Sequence, residues 1–265
     1  MLGERFWEHV DQLVEPYDVI HLRKQCENTL SHLDLCGEGE KTQVHARAFR
    51  ATLNTSWRDF YEGRVKKRLR ADSRRQRRRL AEIGEVHFVS ADDEATRKNT
   101  IAAMIRQKSR RFRETGARDM FTVPEHRHFY MGLADIPPER LRVHCSALRV
   151  GETVVATHVG VADDETYYYL MPSHEAGGWE RFSPGRLLLE HLIEWSINNN
   201  FKVFDFTVGS EPYKKDWCDE ELLLFETVLA RTPIGRLYAL AHRGKSRMRG
   251  NSWILAGMRR VFKWR

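Results

Sequence analysis

The sequence predicts a mixed α/β (α+β) fold: a central, mostly antiparallel mixed sheet flanked by helices. Three observations predict it. Residues 141–172, "LRVHCSALRVGETVVATHVGVADDETYYYLMP", give three short strands separated by Gly-Glu and Ala-Asp-Asp-Glu turns. "SPGRLLLEHLIEWS" (183–196) has leucines at helical spacing. "FKVFDFTVG" then follows an Asn-rich turn as another strand. Strand, helix, strand in that order normally makes a right-handed crossover between parallel neighbours.

The remaining elements follow in chain order. "GERFWEHVDQLV" has helical spacing at Phe6, Val10 and Leu13, "YDVIHLR" reads as a strand, and "CGEGEKTQ" as a polar loop. Residues 1–45 thus form an N-terminal annex. A long helical stretch is expected over 56–82, capped by Ser56 and stopped at Gly84. "EVHFVS" is a strand. "DDEATRKNTIAAMIRQKSRRFRETG" is a second amphipathic helix, with acids in its first turn and bases in its last. "ELLLFETVLA" is the last strand and "TPIGRLYALAHRG" a terminal helix. The main domain spans 46–240, and 241–265 is a basic amphipathic tail.

Composition narrows the function classes. A chain of 265 residues, 41% hydrophobic, can bury one large core or two small ones. No run approaches the roughly 18–20 apolar residues of a membrane span. The first residues mix acids with apolar groups and lack the long apolar core of a secretory signal. Cys26, Cys36, Cys145 and Cys218 are scattered without a CxxC pair. Reduced thiols in a cytoplasmic protein are expected, with no metal and no disulfide framework. The net charge of +7 is local. Arg64–Arg79 holds ten Lys or Arg and one Asp, leaving the rest of the chain at −2.

The start of the Leu-rich helix carries the sharpest question. Ser183 suits a cap and Pro184 a first turn in any helix. Gly185 costs roughly 0.5–1 kcal/mol against Ala there, so either another backbone packs closely or a ligand approaches the amides. Helix N-termini suit anions. The preceding "SHEAGGWERF" has two more glycines and can fold over a ligand. On these residues alone, a tightly packed structural helix and a phosphate-holding helix start both stand.

Five segments resemble a known family: "RRQRRRLAEIGEVHF", "IRQKSRRFRETGARDMF", "SALRVGETVVATHVG", "YYYLMPSHEAGGWERFSPGRLLLE" and "FDFTVGSEPYKKDWCD". In this order, over roughly 55–240, the chain is similar to the GNAT acyl-CoA-dependent acyltransferases, in the CelD-like branch linked to cellulose biosynthesis. The resemblance implies a GNAT fold whose sheet is splayed between its fourth and fifth strands. Acetyl-CoA or another acyl-CoA would lie in that gap. The superfamily pattern Q/R-x-x-G-x-G/A falls on Glu180–Gly185, where only Gly185 matches strictly and Ser183 replaces the first Gly. Arg181, Ser183, Gly185, Arg186 and Leu187 are the implied cofactor-binding residues. Relatives usually carry two GNAT-like halves, so residues 1–45 read as a remnant of the first.

The resemblance also implies roles beyond the loop. Tyr213 stands where such enzymes often place the acid that protonates the leaving thiolate. Asp205, in an apolar strand, is a base or acceptor-orienting acid, or else a hydrogen-bonded turn anchor. Lys214 and Lys215 could hold an acidic acceptor or a phosphate, with Trp217 a further substrate-binding candidate; Tyr213 packed against Trp217 as a lid is the structural alternative. His144 and His174 are further candidate bases. The implied acceptor is an amine or hydroxyl of a sugar or envelope precursor. Two alternatives stand: a FemAB-like transferase using aminoacyl-tRNA, and a catalytically silent GNAT-like binding module. Outside the tRNA reading, nucleic acid is not an expected partner, because the Arg-rich stretch lacks aromatic interleaving. The tail 244–265, with Trp253, Phe262 and Trp264 among its bases, reads equally as a membrane-surface segment or as a frayed, solvated terminus. The first would place the protein at the inner face of a membrane.

Overall fold

In the computed structural model, which describes residues 12, 16–26 and 40–250, the chain forms nine strands and six helices among the described residues. In chain order they are β1 (Val19–Cys26), β2 (Glu40–Thr52), α1 (Trp57–Arg64), α2 (Lys67–Ala81), β3 (Val86–Ser90), α3 (Glu94–Thr115), α4 (Pro124–Gly132), β4 (Arg142–Val150), β5 (Thr153–Ala162), β6 (Thr166–Tyr168), β7 (Ser173–His174), α5 (Pro184–Asn198), β8 (Val203–Val208), β9 (Glu220–Ala230) and α6 (Pro233–Gly250). They divide into a core unit, Phe49–Glu221, and a second unit built from both chain ends, Met1–Ala48 with Leu222–Arg265. The boundaries of these units fall within β2 and β9. The tail beyond residue 250 lies outside the described residues, as does the expected helix around Phe6–Leu13.

Within the core unit the strand order is β8-β6-β5-β4-β3, and β7 pairs with β5. The β3–β4, β4–β5, β5–β6 and β5–β7 pairs are antiparallel and β6–β8 is parallel. The sheet is mixed and mostly antiparallel, as expected. Helix α5 covers one side through Leu187, Leu189, Leu192 and Ile193, which pack under Tyr167, Phe204 and Phe206. Each fully buried leucine contributes about 2 kcal/mol. Helix α3 builds a second core, where Ile101 and Met104 meet Phe121, Cys145 and Val159.

Two features depart from the sequence reading. The single helix expected over 56–82 is two. The Ser56 hydroxyl does accept the Asp59 N–H at 3.1 Å, but the chain turns extended at Val65 (φ −84°, ψ 123°). Val65 is buried there, and α2 restarts at Lys67. Strand β2 was concealed by Lys41, His45, Arg47 and Arg50 among small alanines, and it takes in Glu40–Gln43 from the expected loop.

The Arg-rich α2 is anchored rather than solvated all round. Ser73, Gln76 and Leu80 are buried. Ser73 Oγ and Arg77 donate to the fully buried Glu190 of α5, at 2.5 and 3.0 Å. Burial pushes the Glu190 carboxyl up, while Ser73 and Arg77 pull it down. Arg79 lies over the Phe182 ring at 4.9 Å. In the second unit β1 runs antiparallel to β9, from Val19↔Ala230 to Leu22↔Thr227, and α6 lies against β1.

Candidate active site

The core sheet forks where β6 ends. The parallel β6–β8 pairing runs from Thr166↔Val203 to Tyr168↔Asp205, and the Tyr169 N–H still reaches the Asp205 carbonyl at 2.8 Å. Past that point the chain follows β5 instead. Met171 N–H donates to the Val159 carbonyl, and β7 pairs Ser173 with Thr157. Meanwhile β8 turns away at Thr207, whose φ of 58° is left-handed. The fork opens a cleft of about 440 Å³ lined by Tyr169, His174, Gly185, Leu188, Tyr213 and Trp217, among others. A sheet splayed between the strands flanking α5 is what the sequence led us to expect.

One wall is the start of α5. Glycines 177 and 178 carry the loop through left-handed conformations (φ 73° and 94°) into a 3-10 turn, Trp179–Phe182. Ser183 is left-handed too (φ 52°, ψ 48°), and its side chain makes no capping bond. The expected Ser183 cap is therefore absent, and Pro184 alone fulfils its helix-start role. The backbone explains why the superfamily pattern favours glycine at this position: a left-handed residue strains any side chain but glycine's. The Ser183 carbonyl accepts from both Arg186 N–H (3.0 Å) and Leu187 N–H (3.2 Å). Among the described residues that leaves Gly185 N–H as the open amide of the turn. Leu187 is wholly buried, so its proposed place as a cofactor contact is corrected. Arg181 stands exposed with its guanidinium over Phe182 at 4.7 Å, away from the cleft lining.

The surroundings of Gly185 bear on the question its sequence left open. A Cβ built there meets only His174 Cδ2, at 3.7 Å, an ordinary contact. No neighbouring backbone demands glycine, and the missing side chain leaves space in the cleft. Arg186 beside it pairs with Asp72 of α2 (2.5 Å), which also holds Arg75. The Arg186 guanidinium holds the Asp72 carboxyl low. The cleft continues into a trough of about 620 Å³ lined by Lys66, Arg68, Asp72, Arg75, Arg186 and Asp216. Its four cations outnumber its two acids, which suits an anionic ligand.

The opposite wall is β8 and the turn after it, and here several expectations are corrected. Both Asp205 oxygens are engaged: Oδ2 accepts from Arg50 Nε at 2.8 Å and Oδ1 from Thr207 N–H at 2.7 Å. Asp205 is the pin of the fork, not a cleft base. Lys214 is buried, with Nζ donating to the carbonyls of Thr207, Val208 and Gly209 at 3.3–3.4 Å and to Glu211 at 3.0 Å. It staples the turn and does not face an acceptor. Lys215 is exposed and outside the cleft lining. Trp217 does line the cleft, but as a buried floor residue whose ring lies 6.5 Å from Tyr61. Tyr213 faces the cleft, and burial with nearby Glu211 pushes its phenol well above the ordinary range. It keeps its proton at any physiological pH.

Of the candidate histidines, only His174 reaches the cleft. Burial and then Arg110 lower its pKa, so its ring is neutral near pH 7. His144 is structural. It stacks on Trp195 at 3.9 Å and bonds Ser90 Oγ and Tyr167 Oη, both at 2.8 Å; burial pushes it down to about 4. Behind His174 lies a smaller recess, about 120 Å³, lined by Gln107, Lys108, Arg111, Phe112 and Ser173, among others. Burial lowers the pKa of the Lys108 amine, and Glu211 opposes this. The sequence hid Lys108 in the cation-rich "IRQKSRRFRE"; its position on the buried flank of α3, next to Gln107, was the available signal.

The family model described as "Acetyltransferase (GNAT) domain" matches residues 67–215. Among solved structures, one described as FemX is similar at 9% identity and TM-score 0.62, covering 89% of this chain and 78% of that one. L-PGS from Bacillus licheniformis is similar at 12% identity and TM-score 0.54, covering 91% and 76%. A conserved protein of unknown function from Bacteroides thetaiotaomicron is similar at 13% identity and TM-score 0.56, covering 85% and 74%. These likenesses show the fold. No curated protein matches.

Proposed function

The chain belongs to the GNAT acetyltransferase-domain family, and from that premise we propose that it transfers an acyl group, acetyl first among candidates, directly from acyl-CoA to an amine or hydroxyl of a sugar or envelope precursor. The CelD-like branch is part of the same reading. The single observation that supports it is Gly185: a helix-weakening residue on the cleft wall that no packing contact requires. The bare turn fits a pyrophosphate. Gly185 N–H would meet it, and Arg186, Arg75 and Arg68 would face the remaining phosphates along the trough.

Bound acyl-CoA supplies an activated thioester. The residues of this chain hold and orient around it. Tyr213 offers its O–H to charge developing in the cleft. Its raised pKa makes full proton transfer to a thiolate, ordinarily near pKa 8.5, an uphill step, so a donated hydrogen bond is its role. Lys214 and Asp205 fix the turn that carries Tyr213. The recess at Lys108 and Arg111 disfavours a cationic acceptor and suits a neutral or acidic one. The tail 244–265 suits attachment to an anionic membrane surface; co-sedimentation with phosphatidylglycerol vesicles, with and without the tail, tests this, and equal pelleting removes it.

A second reading, aminoacyl-tRNA as donor, is favoured by the exposed Arg68, Arg74, Arg75 and Arg78 on α2, which suit a phosphate backbone. Thermal-shift titration separates the readings. Stabilisation by acetyl-CoA that Gly185→Ala removes supports acyl-CoA. Salt-sensitive binding of charged tRNA without that stabilisation selects the second donor. Neither response leaves a silent binding module.

A further inference from the structure

The second unit brings together three side chains that no local spacing connects: His21 on β1, Glu226 on β9 and His242 on α6. Antiparallel register explains the first two. His21 faces Val228, so Glu226, two residues along, is its diagonal neighbour on the same side of the pair. Helix α6 supplies the third. Tyr238 and His242 are four residues apart and share a helix face. The contacts follow. His21 Nε2 lies 3.2 Å from Glu226 Oε2, and His242 Nε2 lies 3.5 Å from Glu226 Oε1. The two imidazole rings meet edge to face at 4.6 Å. One ligand atom from each residue lies within 4.8 Å of the others.

We propose that His21, Glu226 and His242 form a binding site for a divalent transition-metal ion of the zinc class. Two imidazoles and one carboxylate are a donor set that zinc accepts, and three protein ligands leave a fourth position for water or an external ligand. Tetrahedral zinc with bonds near 2.0–2.1 Å separates its ligand atoms by about 3.4 Å. Glu226 lies between the two rings at separations of that order, 3.2 Å from His21 Nε2 through Oε2 and 3.5 Å from His242 Nε2 through Oε1. Outer support is in place as well. Tyr238 Oη lies 3.1 Å from His21 Nδ1, so the ring can offer Nε2 to a metal while Nδ1–H donates outward. Glu226 is buried and both histidines are partly so, which limits competition from water. The ion would tie β1 and β9 to α6. Among the described residues this is the cluster of metal-ligating groups that closes to such distances. The sequence expectation of no metal rested on spacing, and these ligands come from positions 21, 226 and 242.

The test uses the full chain, stripped with a chelator and dialysed, then titrated with zinc alone against a chromogenic competitor. One zinc per chain and a rise in Tm are expected. His21→Ala/His242→Ala should bind at least 100-fold more weakly and lose the Tm response. Glu226→Gln, which keeps the shape of the side chain, should bind at least 10-fold more weakly. Cobalt in place of zinc should show the visible absorption of a four- or five-coordinate ion. Absence of saturable binding by the folded chain overturns the site. Unchanged affinity in Glu226→Gln also overturns it, and that variant serves if the double alanine fails to fold.

Discussion

The two walls of the cleft answer the same demand in opposite ways. On the β8 side two charged residues that looked chemical are bound into structure: Asp205 pins the fork and Lys214 staples the turn. On the α5 side the chain leaves things undone, with a glycine facing open space and an amide without a backbone acceptor. A site needs both kinds of wall. The first holds Tyr213 at a fixed place, and the second waits for a ligand. A charged residue is thus a poor guide to chemistry until its partners are known, and an unexplained glycine is a better one.

The largest test of that contrast is Asp205→Ala. It removes one partner of Arg50 and frees the Thr207 turn, so unfolding by urea should show about 3 kcal/mol lost, the low end of the range for breaking a buried pair. A loss below about 1 kcal/mol would return Asp205 to the candidate bases. The packed framework behind both walls predicts an acid response. His144 has a folded pKa of about 4 against an unfolded value near 6.5. Between those values the unfolded chain binds more protons, so its stability contribution is intact above pH 6.5 and lost as pH falls towards 4, by up to about 3 kcal/mol. Denaturant midpoints from pH 7 to 4, with a shallower slope in His144→Gln, check this.

Tyr213→Phe should lower kcat about 100-fold, the effect of losing one well-placed donor, with Tm unchanged because the hydroxyl faces the cleft. Unchanged kcat would leave Tyr213 a lining residue only. The smallest effect is the most diagnostic. Gly185→Ala should raise stability by about 0.5–1 kcal/mol while weakening acyl-CoA binding about tenfold, or 1.4 kcal/mol. Opposite signs mark a residue kept for a ligand. A drop in both would mean that glycine serves packing.

Much of the fold was legible. The strands from Arg142 to Tyr168, helix α5 and strand β8 announce themselves through alternation, turn residues and leucine spacing. Strand β2 did not, because alternation fails as a signal when alanines and arginines share the strand. The break at Val65 was hidden because it depends on where that side chain finds a core. In the site, Gly185 was readable as a local anomaly, and Tyr213 only through the family resemblance. For Asp205 the turn-anchor alternative could not be preferred from the sequence, because its partner Arg50 is 155 residues away. Lys214 was misread although its partners are local, because the fold of the turn that buries it is not written in the spacing. The His21 cluster was invisible because its three members lie at positions 21, 226 and 242, whereas Lys108 was overlooked although its place on the buried flank of its helix offered a signal.

The left-handed backbone at Ser183 has a consequence for how such loops are recognised. Written in letters, this loop departs from the superfamily pattern at two positions. Written in conformations, it asks for something simpler: a residue that tolerates positive φ, a proline or equivalent at the first helical position, then one without a Cβ. Glycine meets the first requirement without strain and asparagine or aspartate at a modest cost, serine meets it here with strain, and glycine alone meets the last without filling the cleft. A search phrased as torsions and volumes would gather chains that one phrased as glycines passes over. Exchanging Ser183 for Gly would then change the spelling of the loop and leave its shape intact.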